Sequence, residues 1–333
     1  HFCDFEITKV IDEIGIPLKS WDLQFFRGVT TGLNEVFHIN TEVKQRLINE
    51  DSKSAEIIFP LLRGKDIKRY KYDYQDKYII FTKHGTKIDE YPAIKNYLFQ
   101  FKEELNPKVS SNDQNGRKPG RYQWYEIQDN TAYFKEFEKE KIIWIEISDR
   151  ANYCIDKHNH FLTNSAYFIT GTNLYFLLGV LNSRLMDFYF NQKTAQIAGG
   201  RKRYTKQYVE LLPIPQITDK EILKKFEALI SYMSYLNDIN QLPVNQYTDN
   251  VKISMIFEDT LNMMVNELYF EEHMTKEEID VLKFVNNETF PPLVKEDHLN
   301  AQIIGDAYKR LEEQDNPIRN RIILSNIRSK DII

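Results

Sequence analysis

The chain has 333 residues, enough for one sizeable core or two domains, and its 42% hydrophobic and 13% aromatic content excludes a disordered tail. No apolar run reaches the ~18 residues needed to span a bilayer, so no membrane partner is expected. The net charge of −5 argues by itself against a nucleic-acid binder, but its distribution does not. Residues 21–215 hold 29 Lys and Arg against 24 Asp and Glu, residues 216–333 hold 13 against 21, and residues 1–20 hold 2 against 4. A mildly basic middle thus joins an acidic tail.

In chain order, residues 1–20 form a helical lead-in: Ile7, Val10, Ile11 and Ile14 have helical spacing, stopped by Gly15 and Pro17. The chain opens on His1 without a Met, which reads as a piece of a longer protein; a removed leader stays open. Residues 21–215 change to short strands mixed with helices. Strands are expected at 23–26, 35–39, 55–59, 77–81, 141–147, 153–155 and 161–169, and helices at 41–49, 88–104 and 173–191. Leu211-Leu-Pro-Ile-Pro215 closes this region, its prolines suiting an edge strand or an extended exit. Thr218-Asp-Lys-Glu221 then has capping-box spacing, and helical patterns follow at 222–236, 250–270, 275–285, 297–313 and 320–327. The expected class is α+β: a mixed-sheet domain followed by an α-helical C-terminal domain, residues 216–333.

Several chemistries lack their residues. The glycine pair Gly199-Gly200 runs directly into Arg201-Lys202-Arg203, which suits a phosphate backbone better than an adenosine pocket. Gly64-Lys65 is followed by Asp66, so no nucleotide-binding Gly-Lys-Ser/Thr occurs, and no Gly-x-Ser-x-Gly elbow occurs either. Cys154, His158 and His160 offer three ligand types in no standard spacing, and no metal is expected there. With two cysteines, Cys3 and Cys154, a reducing cytoplasm is the default location. The segment Glu138-Lys-Glu140-Lys141 superficially offers carboxylates beside a lysine, and a metal-dependent nuclease stays an alternative reading. No catalytic residue is assigned.

Binding features are stronger. Asn115-Gly-Arg117-Lys118-Pro-Gly-Arg121-Tyr122-Gln123-Trp124-Tyr125 packs cations and aromatics around two glycines and a proline. Arg reads guanine edges, Gln pairs with adenine, and aromatics stack on unpaired bases. A second basic loop holds Arg201, Lys202, Arg203 and Lys206, and a third holds Arg63, Lys65, Lys68 and Arg69. Phosphates are their expected targets and double-stranded DNA the expected partner. Each has an alternative: aromatics of the 115–125 loop folding back onto the core, a solvated turn at 198–206, and Arg63 or Asp66 pinning the third loop.

The order Gly28-Val-Thr-Thr31-Gly32-Leu-Asn34, Leu61-Leu-Arg-Gly-Lys-Asp-Ile67, Tyr91-Pro-Ala-Ile94, Gly120-Arg-Tyr-Gln-Trp124, Lys141-Ile-Ile-Trp144, Leu177-Leu-Gly-Val-Leu-Asn-Ser183 and Leu212-Pro-Ile-Pro215 resembles the target-recognition domain of TaqI-like adenine methyltransferases and type IIG restriction-modification enzymes. The resemblance implies that residues 21–215 select DNA targets for N6-adenine methylation. Gly28, Thr31 and Gly32 set small residues between two apolar runs, a loop that either lets the backbone approach a polyanion closely or shapes a structural turn opening the domain. The family's Asn-Pro-Pro-Tyr type motif is missing, because the only Pro-Pro here, Pro291-Pro292, follows Phe290. S-adenosylmethionine, and Mg where a nuclease is present, are therefore expected in a methyltransferase-bearing parent polypeptide and no cofactor in this chain. A specificity subunit of a multi-subunit restriction or phage-exclusion system is the alternative within the same class.

Overall fold

The computed structural model describes residues 3–110, 113–238, 240–329 and 332; His1 and Phe2, which open the predicted lead-in, lie outside the described residues. Four strands form an antiparallel sheet in the order Tyr153–Asp156, Lys141–Ile145, Ala166–Gly171 and Leu23–Arg27. Because successive side chains on a strand point to opposite faces, this sheet feeds two cores. Ile142, Trp144, Tyr153, Tyr167 and Ile169 enter a large core shared with helices. Ile143, Cys154, Ala166 and Phe168 enter a smaller one. Cover on both faces explains why the central strand Lys141–Ile145 is apolar almost throughout.

The smaller core lies between this sheet and a second one, ordered Phe161–Leu162, Ile58–Leu62, Lys77–Ile80 and His38–Asn40. Its first pair is parallel and the rest antiparallel, so the α+β class with mixed sheets holds. The helices Thr41–Glu50 and Pro92–Phe99 add Leu47, Ala93, Ile94 and Leu98 to the same core.

Several elements differ from the sequence expectation, each for a local reason. The expected strand 35–39 is a helical turn, Asn34–Phe37, followed by the strand His38–Asn40. The expected helix 88–104 breaks into a 3-10 turn, the helix Pro92–Phe99 and a short turn Lys102–Leu105; Pro92 has no N–H to donate and so starts a helix. The expected helix 173–191 is two helices, Leu174–Asn182 and Arg184–Lys193. Ser183 separates them as an N-cap, its Oγ accepting from Met186 N at 3.1 Å. The strand expected at 161–169 is split by a turn at residues 163–165. In the tail, helices run Lys220–Asn237, Asn250–Lys276, Leu282–Asn287, Asp297–Glu312 and Pro317–Arg328. The expected 275–285 helix is divided at Glu278, whose φ is 58°.

The change of texture at residue 215 is not a break in the core. The large core draws on Ile7 and Ile11 of the helix Asp4–Ile14, on Phe176 and Leu177, and on Phe226, Leu229, Phe257 and Leu261 of the tail. Phe176 and Phe226 meet edge to face at 4.9 Å. Gly179 allows this approach, since a Cβ there would lie 2.8 Å from the Phe226 ring. The ribbon Ile16–Pro17 with Pro213–Ile214 ties the entrance of the mixed region to its exit. Among the described residues no helix is long and apolar enough to cross a membrane.

Candidate nucleic-acid interface

The segment Gly28–Gly32 joins the sheets. Val29 bridges Thr163, and a Cβ on Gly28 would fall inside the Thr163 and Leu162 carbonyl oxygens, so only glycine fits. Gly32 has a φ of 82°. Thr31 is buried, and its Oγ1 lies 2.7 Å from Asn34 Oδ1.

The turn at residues 163–165 is a meeting point of cations. Arg27 donates through Nε to the Asn164 carbonyl at 2.7 Å and pairs with Glu146 at 2.9 Å. Arg203 lies 3.5 Å from the other oxygen of the same carboxylate. Glu146 N in turn donates to the Ser165 carbonyl at 2.9 Å. Gly64 sits against Ser165 and Ile145, which brings the Arg63–Lys68 turn to this point. Two arginines on one carboxylate leave a positive surplus, and the exposed Lys65 adds to it. The sequence reading missed Arg27; its position at a strand end, directly before the close-packed Gly28, was the available signal.

Other candidates are spent inside the fold. Arg63 is bidentate on Asp66, at 2.9 and 2.8 Å, and pins its own turn while remaining part-exposed. Lys68 donates to the Lys65 carbonyl at 2.9 Å from an exposed position. Arg69 is turned inward onto Glu258 of the tail and so is removed from the expected DNA contacts. Arg117 is a second correction: it is 3% exposed, and its guanidinium donates to the carbonyls of Leu105, Thr31, Glu126, Gln123 and Trp124. Burial depresses its pKa to about 10. Lys202 is a third, at 3% exposure, because strand alternation turns it inward and its neighbour Arg203 outward. Burial lowers the Lys202 pKa against the opposing pull of Asp187.

The aromatics of the 115–125 loop also fold back. Tyr122 is buried, donates its hydroxyl to the Lys118 carbonyl and carries the Arg117 guanidinium 4.5 Å above its ring. Trp124 meets Phe99 edge to face at 5.8 Å. Neither is held out to stack on a base. Lys118, Arg121 and Gln123 remain exposed, as do Arg201, Arg203 and Lys206. Arg117, anchored to Thr31, links this loop through Val29 to the 163–165 turn.

The nuclease reading loses its lysine. Lys141 is wholly buried and pairs with Asp156 at 2.6 Å, also donating to the Phe137 carbonyl. Glu140 accepts instead from Tyr175 Oη at 2.9 Å. Among the described residues no group of three or more His, Cys, Asp or Glu could hold a metal ion. Burial drives the Cys154 thiol pKa well up, which keeps it protonated.

Residues 59–214 match the family described as the TaqI-like C-terminal specificity domain. That span is similar to such a specificity domain. The Arg63–Arg69, 115–125 and 199–206 loops all fall within it, while Gly28–Gly32 precedes it. Among solved structures, the type IIL restriction-modification enzyme MmeI, solved in complex with DNA, has a similar fold. Its TM-score is 0.51 and its identity 14%, over 88% of this chain and 36% of that one. The type IIG restriction endonuclease BpuSI is similar at 13% identity and a TM-score of 0.45, over 96% of this chain and 33% of that one. The chain therefore spans about a third of each of these proteins.

One group beside the basic turn at Arg63 responds to pH. His38 is held neutral, its pKa lowered from 6.5 to about 4 by burial and then by Arg63. Between those two pH values the unfolded chain binds a proton that the folded chain refuses, so stability falls as pH drops. A loss of about 2–3 kcal/mol between pH 6.5 and 4 is expected from this residue. Urea unfolding of His38→Gln across that window should show a correspondingly flatter pH dependence; an identical slope would remove His38 as the cause.

Proposed function

We propose that this chain selects sequences in duplex DNA for a restriction-modification system. In this reading it is the C-terminal specificity part of a longer adenine-specific methyltransferase. The observation that carries it is that Arg27 and Arg203 share Glu146 at the 163–165 turn, against which Gly64, next to the exposed Lys65, is packed, within a chain whose residues 59–214 match the TaqI-like specificity family. MmeI, the restriction-modification enzyme of similar fold solved with DNA, fits the same picture.

The division of labour follows from side-chain chemistry. Exposed cations near Glu146 neutralise phosphates and set the register of the duplex without reading sequence. Arg121 and Gln123, exposed on a loop whose backbone Arg117 fixes, read base edges in the major groove. The duplex so placed presents an adenine to a methyltransferase domain outside this chain, which flips and methylates it. S-adenosylmethionine, and Mg wherever cleavage occurs, belong to such outside domains. The buried free thiol of Cys154 is in keeping with a cytoplasmic location.

The test is selection from a pool of duplexes randomised at their centre. The wild-type chain should enrich one sequence, and Arg121→Ala or Gln123→Ala should relax it at one position, costing about 1–3 kcal/mol against that sequence. Enrichment of the same sequence by both variants with undiminished affinity would reject these two as readers.

A further inference from the structure

The basic turn beginning at Arg63 continues into a hairpin in which Ile67–Lys68 pairs with Lys71–Tyr72, leaving Arg69 and Tyr70 as its two-residue tip. That tip is plugged into the protein instead of standing in solvent. Tyr70 is 3% exposed and has a φ of 66°, a left-handed conformation that a bulky residue keeps only where its surroundings impose it. Its N–H donates to the Tyr153 carbonyl at 2.9 Å, and its own carbonyl accepts from Ser234 Oγ at 2.7 Å. Beside it, the Arg69 guanidinium pairs with Glu258 and donates to the Asn182 carbonyl at 2.6 Å. The Tyr70 hydroxyl lies 3.5 Å from the same Glu258 oxygen. Ser234 and Glu258 stand on the tail helices Lys220–Asn237 and Asn250–Lys276, outside the span that matches the specificity domain.

We propose that Glu258 is a positioning residue for DNA reading: by clamping Arg69 it fixes the hairpin and hence the Gly64–Lys68 turn that meets DNA. This rests on the function proposed above. The lever is short and stiff. Lys68 directly precedes the tip, Asp73 N returns to the Asp66 carbonyl at 2.8 Å, and the Arg63–Asp66 pair closes the base. Movement at Arg69 therefore reaches Lys65 and Lys68 directly. The part-buried pair is the kind that costs most when one partner alone is removed, because the other keeps its charge without compensation. The acidic tail thereby acts on recognition without touching the duplex.

Two readouts on Glu258→Ala and Glu258→Gln test this in the whole chain. The first is amide hydrogen exchange. Exchange at residues 64–70 should accelerate in Glu258→Ala, while the strand Lys141–Ile145 stays as protected as in wild type. The second is discrimination between the sequence the wild type enriches and the unselected randomised pool. It should fall about tenfold in Glu258→Ala, because a displaced phosphate contact shifts the register of the duplex under the base-reading 115–125 loop. Glu258→Gln, which keeps an acceptor for Arg69, should recover most of it. A charge effect alone would strengthen binding of every duplex equally in both variants, and that outcome overturns the proposal. So does unchanged exchange at 64–70, or faster exchange with full discrimination. Failure of the wild type to enrich any sequence would instead sink the DNA-reading function, and the exchange measurement would still decide whether Glu258 holds the hairpin.

Discussion

Replacing Lys141 by methionine is expected to destabilise the protein by about 3–5 kcal/mol, the cost of leaving one member of a buried ion pair without its partner. Lys141 and Asp156 are both 0% exposed, with Nζ and Oδ2 2.6 Å apart in the wall between the two cores. Burial alone would raise the Asp156 carboxyl pKa; the His160 hydrogen bond and the Lys141 ammonium outweigh it and hold the group below the ordinary carboxylate range. The carboxylate also accepts from His158 N at 3.0 Å and His160 N at 3.1 Å, which closes the turn leading to Phe161. Lys141→Met strands that charge, whereas Lys141→Met with Asp156→Asn keeps the acceptor and discards the charge. The double variant should recover part of the loss in urea unfolding. If it is no more stable than Lys141→Met, the stranded charge is not the cause.

Arg117→Ala is the second large effect, also expected at about 3–5 kcal/mol, because it removes a buried cation and leaves several carbonyls without a donor. Those carbonyls belong to Thr31, Leu105, Gln123, Trp124 and Glu126, so the Gly28–Gly32 turn and the 115–126 loop should loosen together. Sequence-specific DNA binding should weaken with them although Arg117 is buried. Arg121→Ala, from the same loop, should leave the unfolding midpoint within about 0.5 kcal/mol of wild type. Urea midpoints reversed between these two variants would invert the assignment of structural and exposed arginine.

The contrast between Arg117 and Arg121 shows what could be read in advance. Composition made the loop basic and aromatic, but which arginine turns inward is decided by acceptors at residues 31 and 105 as well as by its own loop. Long-range acceptors leave no periodic trace. Lys202 and Arg203 are different: the two-residue alternation of a strand separates them, but the pairing with Ile147–Ser148 that makes them a strand is short and remote. Arg69 was beyond reach, since Glu258 lies far along the chain on a helix whose acidic face reads as solvated. The glycines were legible because close approach and positive φ admit few other residues, as Gly28 and Gly32 show. The α+β class was legible from strand-length apolar runs followed by long helical stripes. The shared core was not: the stripe of Lys220–Asn237 carries no mark that Phe226 meets Phe176 and not another tail helix.

The central claim is that exposed cations around the 163–165 turn carry DNA binding. Measuring duplex affinity against salt concentration, for wild type and for Lys65→Ala with Arg203→Ala, tests it directly, and Arg27 keeps Glu146 paired in the double variant. Loss of two phosphate contacts should lower the slope of log affinity against log salt by about 2, alike for the enriched and the random duplex. A slope and affinity equal to wild type would show that the duplex, if bound at all, lies elsewhere on the protein.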